Sequence, residues 1–401
     1  VIFGNLSREL TFITIEIHSE SVMFQPIANR LSLICIFYLV LTAWNFSITP
    51  AIAQDADALT IKAVADLNHL PSKIAFGSCS NQNKPQPVLD TVVTQEPDLF
   101  IYLGDNIYGD TKDMNILSQK YKKLGSKKEF QNLRAKTTVL STWDDHDYGW
   151  NDAGKEYPFK EASKELFMNF WNVPMSSPRR KHAGIYGVHT FSDGKKTLQV
   201  ILLDTRTFRD PLKRNSKTNN LDGKFKNDYQ PDPTNKTILG DAQWQWLEST
   251  LQQRADLRII CSSIQFGHEY NGWESWTNLP NEQKKMVELI KKTQANGVLF
   301  ISGDVHWAEI SKRNFQGLYP IYDVTASGIT EDWHNLEPNR YRIENAFRDN
   351  HFGMIEIDWK KKNPKAVMQI LNVNGKTVIR HSVPLNELQF DQKPANQTRS
   401  N

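Results

Sequence analysis

Six apolar runs in this chain end in residues that ligate metals or carry charge. Lys73–Ser78 is followed by Cys79, Leu99–Gly104 by Asp105 with Tyr108 three positions on, and Thr138–Trp143 by Asp144, Asp145, His146 and Asp147. Downstream, Leu198–Leu203 ends in Asp204 and Arg206, Ile259–Phe266 ends near His268 and Glu269, and Val298–Gly303 ends in Asp304 and His306. In open α/β sheets ligands bind at the carboxyl ends of the strands, so these six ends are expected to converge on one place. Carboxylates and imidazoles gathered there can bridge and cap two metal ions. A thiolate favours a transition metal such as iron or zinc, whereas calcium wants oxygens only. A phenolate from Tyr108 beside Asp105 points to ferric iron.

Each residue also has a plainer reading. Cys79 alone reads as a small buried hydrophobe, and Gly104-Asp105-Asn106 as a turn. The acids around His146 repel one another unless they are solvated or bound to cations. Asp304 and His306 are two apart on an extended segment, which directs both side chains to one side. Arg206 and Arg209 read as phosphate ligands or as surface arginines. His268 and Glu269 read as supporting groups or a turn, and Trp273 and Trp276 as packing.

The elements that must position these residues follow from periodicity. Buried runs at Lys73–Ser78, Leu99–Gly104, Thr138–Trp143, Leu198–Asp204, Ile259–Gln265 and Val298–Ser302 alternate with helical periods around Asn115–Lys136, Lys160–Trp171, Asp241–Arg254 and Asn281–Gln294. That alternation predicts an α/β protein with largely parallel strands. The end of the chain reads as antiparallel: strands at Gly353–Trp359, Ala366–Val373 and Lys376–Pro384, the last two joined at Asn374-Gly375 by a type I′ hairpin. The stretch Asp210–Thr237 reads as a long irregular loop.

Composition bounds the function. The chain has 401 residues, 48 Lys+Arg against 45 Asp+Glu, and a net charge of +3, which leaves no long basic groove for nucleic acid. Eleven Trp, 12 Tyr and 20 Phe supply more buriable surface than a disordered chain carries. The apolar run Leu31–Trp44, preceded by Arg30 and followed by Ala51-Ile52-Ala53, falls short of the ~20 residues of a transmembrane span and reads as an export signal. The expected organisation is therefore a spurious upstream extension at 1–22, a signal at 23–53, a lead-in at 54–72, one catalytic domain at 73–388 and a polar tail at 389–401. The exported chain, periplasmic or extracellular, would keep no stable membrane insertion. Of its three cysteines Cys35 leaves with the signal, and Cys79 and Cys261 either pair or at least one is otherwise occupied.

Taken in order, FGSCS, YLGDNIYGD, STWDDHDYGWND, ILLDTRTFRDP, LGDAQWQWL and FISGDVHWAE resemble the PhoD-like (alkaline phosphatase D) metallophosphatases, within the calcineurin-like phosphoesterase superfamily, over about Lys73 to Thr325. The resemblance implies a four-layer αββα sandwich that hydrolyses phosphate esters with Fe3+ and Ca2+. It assigns Asp105 as the bridging carboxylate, Cys79 and Tyr108 to the iron, and Asp145, Asp304 and His306 to metal binding. His146 would stand near the leaving group, with Asn151 and Arg206 at the phosphate. Ser78-Cys79-Ser80 replaces the D-x-H of the wider superfamily, which separates this chain from calcineurin-type iron–zinc enzymes. The lead-in is too short for the N-terminal β-sandwich of some relatives. A phosphodiesterase or phospholipase activity on the same site, and a catalytically retired metal- or phosphate-binding protein, are the alternatives.

Overall fold

The computed structural model describes residues 61–215 and 227–391. The upstream extension, the signal reading over 23–53 and nearly all of the polar tail lie outside the described residues. No helix among the described residues is long and apolar enough to cross a membrane.

Two sheets carry the structure. The first is built from β1 (Lys73–Gly77), β2 (Leu99–Leu103), β3 (Thr138–Thr142), β11 (His351–Ile357), β12 (Lys365–Asn372) and β13 (Thr377–Pro384), in the order β13-β12-β11-β1-β2-β3. The second holds β4 (Gly187–Ser192), β5 (Thr197–Leu202), β6 (Leu257–Cys261), β7 (Val298–Ser302), β8 (Ala308–Arg313), β9 (Ile321–Ala326) and β10 (Arg342–Phe347), in the order β10-β8-β9-β7-β6-β5-β4. The helices are α1 (Pro87–Thr94), α2 (Met114–Gly125), α3 (Lys128–Lys136), α4 (Asp145–Tyr148), α5 (Lys160–Phe170), α6 (Gly240–Leu251) and α7 (Pro280–Thr293).

Strand alternation explains the layering. Successive side chains of a strand point to opposite faces. Ile74, Phe76, Leu99, Ile101 and Leu103 join one core with the second sheet, while Ala75, Phe100 and Tyr102 join another with Val88, Leu117, Phe130 and Phe167 of α1, α2, α3 and α5. The first core also takes in Trp244 and Leu247 of α6 and Met286 and Ile290 of α7. The layers thus run helix, sheet, sheet, helix, as a sandwich fold requires. Each central strand is buried on both faces, which is why the runs read as continuous apolar stretches.

Three expectations are corrected. Parallel pairing is confined to β1-β2-β3 and β5-β6-β7-β9; β4, β8 and β10 add antiparallel edges, so antiparallel pairing is not limited to the chain's end. The period over Asn115–Lys136 is two helices, because Lys127 takes extended backbone between Gly125 and α3. In the final hairpin only Gly375 takes positive φ, at +74°, and its N–H donates to the Asn372 carbonyl. The turn is therefore not type I′, which needs positive φ at both central residues.

His351, at the start of β11, is fully buried, and burial lowers its pKa from the ordinary 6.5 to about 4. The unfolded chain takes up this proton first as pH falls. The contribution of neutral His351 is thus complete above pH 6.5 and is lost progressively toward pH 4. It amounts to on the order of 3 kcal/mol. Urea unfolding between pH 7 and 4 is expected to show a stability decline that shrinks in His351→Gln; identical pH slopes in the two proteins would refute the assignment.

Candidate metal centre

The carboxyl ends of β1, β2, β3 and β7 meet at one end of the sandwich. Chain reversal there is tight. Cys79, Asp105, Asp304 and His306 all take left-handed backbone, with φ of 60°, 50°, 76° and 64°. For residues other than glycine this conformation is costly, and it clusters at functional sites. Gly104, at φ +106°, makes the approach possible: a Cβ on it would stand 2.4 Å from the Asp144 Cβ.

Four sets of ligand-type atoms lie close together. Cys79, Asp105 and His306 form one set; Asp105, Asp145 and His146 a second; Asp105, Asp144 and Asp304 a third; Asp145, Asp152 and Glu274 a fourth, the atoms of each lying within 4.8 Å of one another. Asp105 belongs to three of the four. Its Oδ2 accepts from the Cys79 thiol at 3.3 Å, while its Oδ1 is buried without a hydrogen-bond partner, as is Asp144 Oδ2. The Tyr108 hydroxyl lies 3.2 Å from His306 Nε2, and its ring centroid is 4.3 Å from that of His146. His146 Nδ1 is 2.7 Å from Asp110, which fixes the ring. Asn151 lines the cleft with Asp145, His146, Asp152, Trp273, Glu274, Asp304, His306 and Trp333 among others.

Electrostatics oppose this arrangement unless cations neutralise it. Burial pushes Asp105 well above the usual carboxylate range, and the Cys79, Asp145 and Asp144 charges push it further against the pull of His146. Burial, then Asp144, Glu274 and Asp145, do the same to Asp304. Asp152 rises to about 7 through burial and the charges of Glu274 and Asp145. Burial takes Cys79 up to about 12. At His146 burial is overcome by Asp145, Asp105 and Asp110, which raise it to about 11. Among the described residues, six carboxylates (Asp105, Asp144, Asp145, Asp152, Glu274 and Asp304) gather here, with the guanidiniums of Arg206 and Arg209 paired to two of them. Orphaned carboxylate oxygens and a mixed oxygen, nitrogen and sulfur donor set fit metal cations.

The structure thus brings together Cys79, Asp105, Tyr108, Asp145, His146, Asn151, Asp304 and His306. It places Arg206 elsewhere. That side chain is fully buried, ion-paired to Asp144 and Glu274, and is not among the cleft-lining residues. Arg209, also buried, pairs with Glu274 at 3.0 Å. His268 lies away from the cleft beside Glu309, at 3.7 Å. Cys79 and Cys261 are both free thiols, so the pairing alternative falls. Asp204 is structural, accepting from Trp143 Nε1 and the Ile185, Arg206 and Thr207 amides.

The sequence does not single out Asp110, Asp152, Glu274 or Trp333, and Trp273, which reads there as packing, lines the cleft. Asp110 and Asp152 sit inside the quoted motifs and were legible there. Glu274 and Trp333 come from irregular segments with no periodic signal. Asp228 and Tyr229, from the long loop, also reach the cleft, and Tyr229 donates to Asp152 at 2.6 Å.

Comparison with known proteins gives the family and the fold. A family model described as PhoD-like phosphatase matches residues 74–366. Alkaline phosphatase D of Bacillus subtilis is 27% identical, over 58% of this chain and 46% of its own length. The chain therefore spans less than half the length of that curated relative. A solved structure of PhoD superposes with a TM-score of 0.55 at 19% identity, covering 78% of this chain and 72% of the other. GAP50, the anchor in the inner membrane complex of Plasmodium, superposes at 0.50 with 14% identity, covering 81% of this chain and 90% of its own. At these identities the two structures show the shared fold alone.

Proposed function

The chain belongs to the PhoD-like phosphatase family, and on that premise we propose that it is an exported, metal-dependent phosphoric ester hydrolase. The observation that carries the reading is the sharing of Asp105 by three ligand sets, with one of its oxygens buried and unpaired. Asp105 would bridge two ions. Cys79, Tyr108, His306 and Asp105 would suit a ferric ion, and the carboxylates of Asp145 and Asp304 would serve a second ion of the calcium class. When bound, such ions supply Lewis-acid polarisation of phosphoryl oxygens and lower the pKa of nearby water.

The protein's own groups do the rest. His146, oriented by Asp110, is placed to pass a proton to the departing oxygen. Asn151 offers an amide to the phosphate from the cleft wall. Arg206 holds Asp144 and Glu274 in place from below. Export rests on the Leu31–Trp44 run and its small-residue flank.

Protein purified without chelators is expected to contain iron and calcium and to hydrolyse p-nitrophenyl phosphate or its bis ester. Dialysis against a chelator abolishes turnover, and adding back the two metals restores it. The ratio of monoester to diester turnover separates phosphatase from phosphodiesterase. Bound metal without turnover across a wide ester panel would instead mark a retired enzyme.

A further inference from the structure

The segment that follows β9 clamps the residue that replaces the superfamily's first ligand motif. Ile329 N donates to the Ser78 carbonyl at 3.1 Å, and the Thr330 amide and hydroxyl donate to the Cys79 carbonyl at 3.1 and 3.0 Å. At its head, Ser327 is fully buried, with Oγ 3.1 Å from Cys79 Sγ. The same Oγ accepts from the His306 amide at 2.9 Å. One hydroxyl therefore joins two members of a single ligand set that come from the ends of different sheets.

The protons follow from the partners. The His306 amide occupies a lone pair of Ser327 Oγ, which leaves the hydroxyl proton free to point at sulfur. Ser327 is fixed in turn: its amide donates to His351 Nε2 at 3.0 Å, so that nitrogen carries no proton and Nδ1–H is directed to the Asp349 carbonyl at 2.7 Å. His351 opens β11 of the first sheet and Ser327 directly follows β9 of the second, and the adjoining Gly328 has no room for a Cβ, which would stand 2.3 Å from the imidazole Cε1.

We infer that Ser327 is a positioning residue of the metal centre: its hydroxyl locks the Cys79 sulfur against the His306 main chain and donates a hydrogen bond to that sulfur once it is a ligating thiolate. The inference rests on the reading of Cys79 as a ligand. A donor of this kind withdraws electron density from sulfur and orients it, and loss of such supporting contacts costs metal sites about 10- to 100-fold in affinity.

Cobalt(II) tests this without requiring the native metals. Full-length protein stripped of metal and loaded with Co2+ is expected to show a sulfur-to-cobalt charge-transfer band that is absent in Cys79→Ala; Cys261, buried within β6, does not contribute. In Ser327→Ala the band moves to longer wavelength and Co2+ affinity falls about 10- to 100-fold, while Ser327→Thr, which keeps the hydroxyl, restores both. Ser327→Gly removes the same group and serves if the alanine variant does not fold. If wild-type protein lacks the band, or Cys79→Ala retains it, the ligand reading itself fails. A wild-type band that stays at one wavelength and one affinity when the hydroxyl is removed overturns the role of Ser327 and leaves Cys79 as a ligand.

Discussion

Asp105→Asn is expected to fold as the wild type does and to lose p-nitrophenyl phosphate hydrolysis by a factor on the order of 10³, since interactions worth several kcal/mol of transition-state charge stabilisation disappear with the bridging carboxylate. Asparagine is the informative replacement. Position 105 has φ 50°, which asparagine tolerates better than alanine. The charge removed is one that burial and its acidic neighbours already disfavour. Metal-free stability should therefore hold or rise while activity and metal content fall. The two opposite responses distinguish loss of a ligand from damage to the fold. An Asp105→Asn protein that cleaves the ester at the wild-type rate would place the chemistry elsewhere.

Arg206→Met is expected to act in the other direction, on stability first. The guanidinium is fully buried and pairs with Asp144 and Glu274, both also buried. Its removal leaves Asp144 without a cationic partner and Glu274 with Arg209 alone, next to Asp145 and Asp304. Breaking a buried pair by removing one partner costs about 3–5 kcal/mol. Urea unfolding in the presence of chelator should show that loss, and bound metal should recover part of it by supplying positive charge to the same acids. A midpoint indistinguishable from wild type would mean that the network is far better solvated than its burial indicates.

The strands that bear the site were legible because both of their faces are buried, which makes the apolar runs unmistakable and puts the first polar residue at the strand's end. That rule points to Cys79, Asp105, Asp145, Asp304 and His306. β8, β9 and β10 were not legible in this way. Their sequences mix charge with apolar residues, as in AEISKR and RIENAF, because β8 and β10 sit toward one edge of the second sheet. β9 is buried throughout, but Asp323 interrupts its apolar pattern. The burial of Arg206 is illegible for a different reason: nothing local distinguishes an arginine that meets solvent from one folded under Glu274, a residue from another loop. The same distance in sequence hid Glu274.

β1 lies between β2 and β11, so Lys73 is paired across the sheet with Glu356. Almost the whole described chain must therefore be made before the strand that presents Cys79 gains its second neighbour. Contacts of such high sequence separation form late and slowly. A chain stopped before His351 has the Asp105 and Asp145 sets in its sequence, but it leaves one edge of β1 bare and lacks the imidazole that anchors Ser327. Assembly order thus separates the two halves of the centre in time: the oxygen-rich part can form from early segments, and the sulfur-bearing part is closed only by the last strands.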